Sequence, residues 1–258
     1  MVLAHDGEIA PIRLACLDLA GTTIGDIAMV ERAFAEAIAT QGIVPGTGAY
    51  ARAMVHVHRS RGCPKIEVFR GIFPDNEAQA QAANLTFERS YEGAIGRAGL
   101  VPMPGVVETL EKLRGGGVKV CLITGFSRVT LSRVLSALSW SDKVDLALCP
   151  EDAGRGRPMP DMVLTAVLRL GIEDVRHVAV AGDSESDMLC GRRSGASVVA
   201  GIMTGVHSKE RLLKGGATHI LDSIADLPSL LLGGVHVETP VGASAAEAAS
   251  FPGVTSGV

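Results

Sequence analysis

Four short stretches carry the residues whose types and spacing could do chemistry. They are Asp18-Leu19-Ala20-Gly21-Thr22-Thr23, Thr124-Gly125, Arg157 within Arg155-Gly156-Arg157-Pro158, and Gly182-Asp183-Ser184-Glu185-Ser186-Asp187. The first follows Ile12 to Leu17, an apolar run with the length and composition of a buried strand. A carboxylate at the carboxyl end of such a strand, followed by a glycine turn and two hydroxyls, sits where open α/β sheets bind ligands. Asp18 fits equally well as a turn former, since Asp and Gly are common turn residues. Thr124-Gly125 closes a second apolar run and offers a hydroxyl and a turn amide, and Asp183 closes a third. Each also has a plain structural reading: Thr124 as a helix cap, Asp183 and Asp187 as charges at a helix N-terminus, and Arg157 as a surface residue. If all converge on one sheet edge, they supply carboxylates for a hard cation, a hydroxyl donor and a guanidinium, which is a phosphoryl-transfer site in outline.

The elements that must position these groups follow from periodicity. Ile27, Val30, Phe34 and Ile38 recur at helical spacing before Gly42, which predicts a helix over 26–41. Residues 43–73 read as polar and irregular, with His56, His58, Arg59, Arg61 and Lys65 gathered around Gly62 and Pro64. A long polar stretch over 76–99 holds Leu85, Phe87, Tyr91 and Ile95 as its few large apolar residues. This segment is expected to be a small helical module leaning on something larger. From Val101 onward helices alternate with strands at 118–123, 144–148, 177–181 and 197–200, the pattern of a doubly wound parallel sheet. The first strand joins that sheet. The expected organisation is therefore an α/β core over 1–26 and 99–235, a helical insertion over 27–98, and an Ala-, Ser-, Gly- and Thr-rich mobile tail over 236–258.

Composition narrows the function. The chain has 258 residues, 47% of them hydrophobic, enough to fill such a core. A net charge of -4 with 24 scattered Lys and Arg gives no basic footprint, so nucleic acid is not expected as a partner. No apolar run reaches the ~18 residues that would indicate a membrane span, and the N-terminal residues lack a basic, then apolar, leader pattern. A cytoplasmic location without membrane partners is the default expectation. The five cysteines form no CxxC pair or metal spacing; Cys16, Cys121 and Cys149 read as packing, and Cys63 lies in a polar loop without a local His.

Taken in order, the four stretches resemble those of haloacid dehalogenase superfamily hydrolases over about residues 12–232. The resemblance implies a Rossmann-like core and makes the insertion a cap. It makes Asp18 the nucleophile that forms an aspartyl-phosphate. Thr124 binds the phosphoryl group with Thr22 and Gly125, and Arg157 stands in place of the usual lysine. Magnesium is implied as the cofactor, with Asp18, the Ala20 carbonyl and Asp183 as ligands and Asp187 orienting the shell. Phosphatases of the superfamily usually carry a second Asp two residues after the nucleophile, where this chain has Ala20, and a methyl group cannot protonate a leaving alkoxide.

The Asp-x-Ala-Gly-Thr form, together with Arg157, resembles the phosphonatase (phosphonoacetaldehyde hydrolase) branch. There a cap lysine forms a Schiff base with the substrate carbonyl, so that carbon leaves phosphorus as an enamine and no acid is required. Lys65 stands where that lysine is expected. Arg61, Val68 and Phe126 depart from the phosphonatase pattern, and Arg61 becomes a candidate substrate-binding residue. The reading is a hydrolase acting on the C–P bond of phosphonoacetaldehyde or another 2-oxo-alkyl phosphonate. The alternatives are a phosphomonoesterase resembling phosphoglycolate phosphatases and a weakly active phospho-ligand binding protein. Cap helices in this branch can pair between subunits, which makes a homodimer through the cap the assembly to consider.

Overall fold

The computed structural model describes residues 11–233, so the predicted tail over 236–258 lies outside the described residues. Strand β1, Leu14–Asp18, is followed by four helices: α1, Ile27–Thr40; α2, Gly48–Arg59; α3, Lys65–Ile72; and α4, Glu77–Ala98. Then come α5, Val106–Gly115; β2, Lys119–Ile123; α6, Arg128–Leu138; β3, Leu146–Leu148; α7, Pro150–Ala153; and α8, Asp161–Arg169. The chain continues with β4, Val178–Gly182; α9, Glu185–Ser194; β5, Val198–Ile202; α10, Lys209–Gly215; β6, His219–Leu221; and α11, Leu227–Leu232.

The six strands form one sheet in the order β3-β2-β1-β4-β5-β6, with every pairing parallel. Strands β1, β4 and β5 are buried along their whole length, which is why they read in sequence as unbroken apolar runs rather than alternating ones. Successive residues still serve opposite faces: Ala15, Leu17, Val120 and Leu122 join one apolar cluster, while Leu14, Cys16, Cys121 and Ile123 join another. Cys16, Cys121 and Cys149 are buried in these clusters, as expected of packing thiols. Strand β3 is shorter than the predicted 144–148. The Asp145 carboxylate accepts the Val120 amide at 2.8 Å, while the Asp145 amide donates to the Val120 carbonyl.

Helices α1 to α4 have no separate core. The cluster on one face of the sheet runs on through Phe34, Phe69, Phe87 and Tyr91. Phe34 meets Phe87 with ring centroids 4.6 Å apart, and Tyr91 stacks at 4.8 Å on Phe126 from the loop after β2. The expectation that residues 43–73 are irregular is corrected, because this span contains α2 and α3. Helix α2 hid its period because its buried residues are only Ala53 and Val57, four apart, among His and Arg side chains. Helix α3 is eight residues long and starts directly after Pro64, too short for a helical repeat to stand out. None of the described helices is long and apolar enough to cross a membrane.

Candidate active site

Because β1 lies between β2 and β4, the carboxyl ends of three neighbouring strands bring together Asp18, Thr124 and Asp183. All three are buried, as are Thr22, Arg157 and Asp187. The turn after β1 is closed by Leu19, whose carbonyl accepts from the Ile24 amide at 2.9 Å, and by the Thr23 hydroxyl, which donates to the Asp18 carbonyl at 2.9 Å. Ala20 lies within this turn. Gly21 has φ of 93°, and a Cβ there would stand 2.6 Å from Asp183 Oδ2, so only glycine lets the turn lie against that carboxylate.

Arg157 reaches the cluster from the segment before α8. Its Nη1 donates to Asp18 Oδ1 at 2.5 Å and also to Asp187 Oδ1. The other oxygen of Asp187 accepts from the Ser184 amide at 3.0 Å and the Ser184 hydroxyl at 2.5 Å, completing a capping box at the start of α9. Asp187 thus caps α9 with one oxygen and meets Arg157 with the other. Asp183 Oδ2 accepts from the Val206 amide at 3.2 Å.

Asp18, Asp183 and Asp187 offer carboxylate oxygens that all lie within 4.8 Å of one another. Burial pushes the Asp183 carboxyl up to about 8, and repulsion from Asp18 and Asp187 adds to it. Asp18 is also raised, first by burial, against the opposing pull of Arg157. Three buried carboxylates sharing one guanidinium are short of positive charge, and their donor set is all oxygen. These residues fit a hard divalent cation.

The loop joining α2 to α3 closes over this edge. The Lys65 amide donates to the Gly125 carbonyl at 3.2 Å, and the Cys63 thiol lies 3.3 Å from the Ser186 hydroxyl. Lys65 is partly exposed along its length, while its ammonium sits 4.7 Å from the Phe126 ring centroid. Desolvation of that end lowers the Lys65 amine to about 8, with the Arg61 and Arg157 charges pushing the same way and Asp18 and Asp26 opposing. Arg61 is buried in the same loop. Gly125 therefore serves this edge through its carbonyl and through the absence of a side chain where the Cys63 carbonyl approaches.

Two residues escaped the sequence reading. Asp26 holds the N-cap position of α1, yet its side chain makes no cap bond and instead accepts from the Tyr91 hydroxyl. Burial raises the Asp26 carboxyl to about 6. The sequence clue was an acid just before a helical period, but its partner is 65 residues away. His207, assigned no role from sequence, bridges the core to α2: its Nδ1 accepts from the Glu185 amide at 2.8 Å and its Nε2 lies 3.0 Å from the His58 carbonyl. No local signal marks it.

A parallel α/β sheet with an acidic cluster and a guanidinium at its carboxyl edge defines an enzyme core of the hydrolase type. The chain belongs to the haloacid dehalogenase-like hydrolase family, which it matches over residues 12–195. It is similar to the phosphonoacetaldehyde hydrolase of Bacteroides fragilis, with 28% identity across 85% of this chain and 95% of that protein. Among solved structures it resembles a phosphonoacetaldehyde hydrolase-like protein from Oleispira antarctica. That match has a TM-score of 0.74 and 23% identity over 90% of this chain and 95% of that one. A candidate phosphoglycolate phosphatase from Lactobacillus delbrueckii has a TM-score of 0.69 and 20% identity over 87% and 100% of the two chains. At such identities the two structures speak for the fold alone.

Proposed function

We propose that this hydrolase cleaves the carbon–phosphorus bond of a 2-oxo-alkyl phosphonate, using Lys65 as an imine-forming amine and Asp18 as the nucleophile toward phosphorus. The observation that carries this reading is the seat of Lys65. Its backbone is bonded to the residue after Thr124 and its amine is lowered to about 8, so a substantial neutral fraction exists near neutral pH. Ala20 supports it, since an imine makes a proton donor at that position unnecessary.

The neutral Lys65 amine adds to the substrate carbonyl, and loss of water leaves a protonated imine. Arg157 holds one oxygen of Asp18, leaving the other to attack phosphorus. The electron pair of the C–P bond moves toward the iminium and forms an enamine, while the phosphoryl group is transferred to Asp18. Water then cleaves the aspartyl-phosphate. Protonation of the enamine carbon and hydrolysis of the imine release the carbonyl product and free Lys65. Thr124, Thr22 and the Gly125 region line the phosphoryl position. Asp18, Asp183 and the Ala20 carbonyl, with Asp187 beside them, would hold magnesium, which would supply charge neutralisation at the phosphoryl oxygens. The loop carrying Lys65 excludes water while the imine exists.

A phosphomonoesterase is the second reading, and the likeness to a phosphatase fold is what favours it. Borohydride added with a 2-oxo-alkyl phosphonate separates the two, because only an imine leaves a reduced adduct on Lys65. Lys65→Arg keeps the charge and cannot form the imine. C–P cleavage by that variant at the parent rate would refute the proposal.

A further inference from the structure

The mechanism above leaves Arg61 unused, and its charge has no partner. It is 6% exposed, and neither its Nη1 nor its Nη2 makes a hydrogen bond. No carboxylate among the described residues lies within ion-pair distance of it. Asp26 feels the Arg61 charge but is held by the Tyr91 hydroxyl instead. In the turn after β1, the Thr22 hydroxyl is likewise buried without a partner. A guanidinium buried without a counter-ion is strongly unfavourable, and its planar fork of donors suits two-point contact with an oxyanion. The missing partner is an anion that arrives with the ligand.

The backbone beside Arg61 fixes where that anion is met. A Cβ on Gly62 would stand 2.4 Å from the Ser184 hydroxyl, and the Cys63 thiol lies 3.3 Å from the Ser186 hydroxyl. Residues 62 and 63 thus rest on the segment that follows Asp183 at the end of β4, the strand paired with β1 and therefore beside Asp18. This seats Arg61 over the carboxylate cluster to which phosphorus must come when Asp18 attacks it. The Arg61 charge is felt at Asp183 in that cluster as well as at Lys65. Arg157 is already committed there, its Nη1 shared between Asp18 and Asp187. A divalent cation on Asp18, Asp183 and Asp187 would, together with Arg157, only balance those three carboxylates. The negative charge that phosphoryl oxygens bring needs a further cation, and Arg61 is buried with both terminal nitrogens free to supply it.

We infer that Arg61 binds the phosphoryl group itself, its two terminal nitrogens donating to non-bridging oxygens. The phosphoryl position then takes one guanidinium from the sheet edge and a second from the helical insertion, so it is complete only with the loop between α2 and α3 in place. The inference rests on the reading of Asp18 as the nucleophile toward phosphorus, and it holds for a phosphonate and for a phosphate ester alike.

Binding tests it without turnover. Titration calorimetry of the whole protein with magnesium compares methylphosphonate, whose only anionic group is the phosphoryl, with 3-phosphonopropionate, which adds a carboxylate. Arg61→Met is expected to weaken both by the same factor, about tenfold or more, the worth of one charge-assisted contact. Arg61→Lys keeps the charge without the fork and is expected to weaken both by about threefold, which keeps the test decisive where the methionine variant folds poorly. Without ligand, Arg61→Met is expected to melt at the same or a higher temperature than the parent, because it removes an uncompensated buried charge. A lower melting temperature for Arg61→Met, with both probes binding Arg61→Lys as they bind the parent, assigns Arg61 to structure and overturns the inference. Unchanged methylphosphonate affinity in both variants also overturns it, and weakening of 3-phosphonopropionate alone gives Arg61 to a carboxylate instead. Failure of the parent to bind either probe overturns the phosphoryl position at Asp18 itself, a distinct result, while the borohydride adduct on Lys65 tests C–P cleavage separately.

Discussion

Lysine 65 gives the sharpest test of the physical argument, because its reactivity should depend on its surroundings in a way that can be titrated. An exposed lysine amine titrates near 10.5, and the Lys65 amine is lowered to about 8, mainly by desolvation and then by the Arg61 and Arg157 charges. At pH 7 about one amine in ten is then neutral, against about one in three thousand for an unperturbed lysine, a gain of roughly 300-fold in nucleophile. Reductive methylation by formaldehyde and cyanoborohydride reads this directly, since only the neutral amine adds to the aldehyde. Followed by peptide mass spectrometry across pH 6 to 11, Lys65 should show a midpoint near 8, well below the ordinary lysine value of 10.5. Arg61→Met removes one of the two repelling charges and should move the Lys65 midpoint upward. If the Lys65 midpoint lay at the ordinary lysine value of 10.5, the ammonium would not be desolvated in solution, and the imine would lose its main support.

Two further outcomes follow from the packing. Gly125→Ala places a methyl group against the Cys63 carbonyl, so it should push the loop away from the sheet edge and lower turnover by about tenfold or more while leaving the fold intact; unchanged kinetics with unchanged stability would show that the loop does not close this way. Asp26 is raised to about 6, so the folded state keeps a proton that the unfolded chain releases near 3.8. This acid's contribution is present below pH 4 and lost as pH rises through 6. Asp26→Asn should therefore match the parent in urea unfolding at pH 4 and exceed it at pH 7.5 by at most about 3 kcal/mol, and a difference independent of pH would refute the assignment.

What could be read from the sequence, and what could not, divides along physical lines. Asp18, Thr124 and Asp183 were legible because each ends a run of buried apolar residues, and a parallel sheet puts such ends on one edge. The order of strands then decides adjacency: β1 pairs with both β2 and β4, so the three groups become neighbours although 165 residues separate the first from the last. The Asp26 to Tyr91 bond and the His207 bridge were not legible, since each joins elements whose approach is set by packing of Phe34, Phe69, Phe87 and Phe126 and not by local pattern. Helices α2 and α3 were missed for the same reason. Their period is carried by very few buried side chains, and the aromatic cluster provides the rest of their support.

Three hydrogen bonds across the seam between the helical insertion and the sheet use backbone atoms of the insertion, and this bears on how the site keeps its register. The Lys65 amide meets the Gly125 carbonyl, His207 lies against the His58 carbonyl, and Arg211 donates to the Arg59 carbonyl at 3.0 Å. The carbonyls of residues 58 and 59 are available because α2 is ending there, where the final turn leaves acceptors without helical partners. The end of α2 is thus pinned by two core side chains, and six to seven residues later the start of α3 is pinned to the loop after β2. Between these anchors only Arg61, Gly62, Cys63 and Pro64 separate Ser60 from Lys65, so the span is too short to swing independently. Arg61 and Lys65 are consequently delivered as a unit at a fixed height above Asp18. Under the proposed chemistry, their side chains set what the site accepts, while the backbone seam sets where it is held. Substitutions at 61 should weaken phosphoryl binding with little effect on docking, whereas loss of the His207 contact should weaken docking itself.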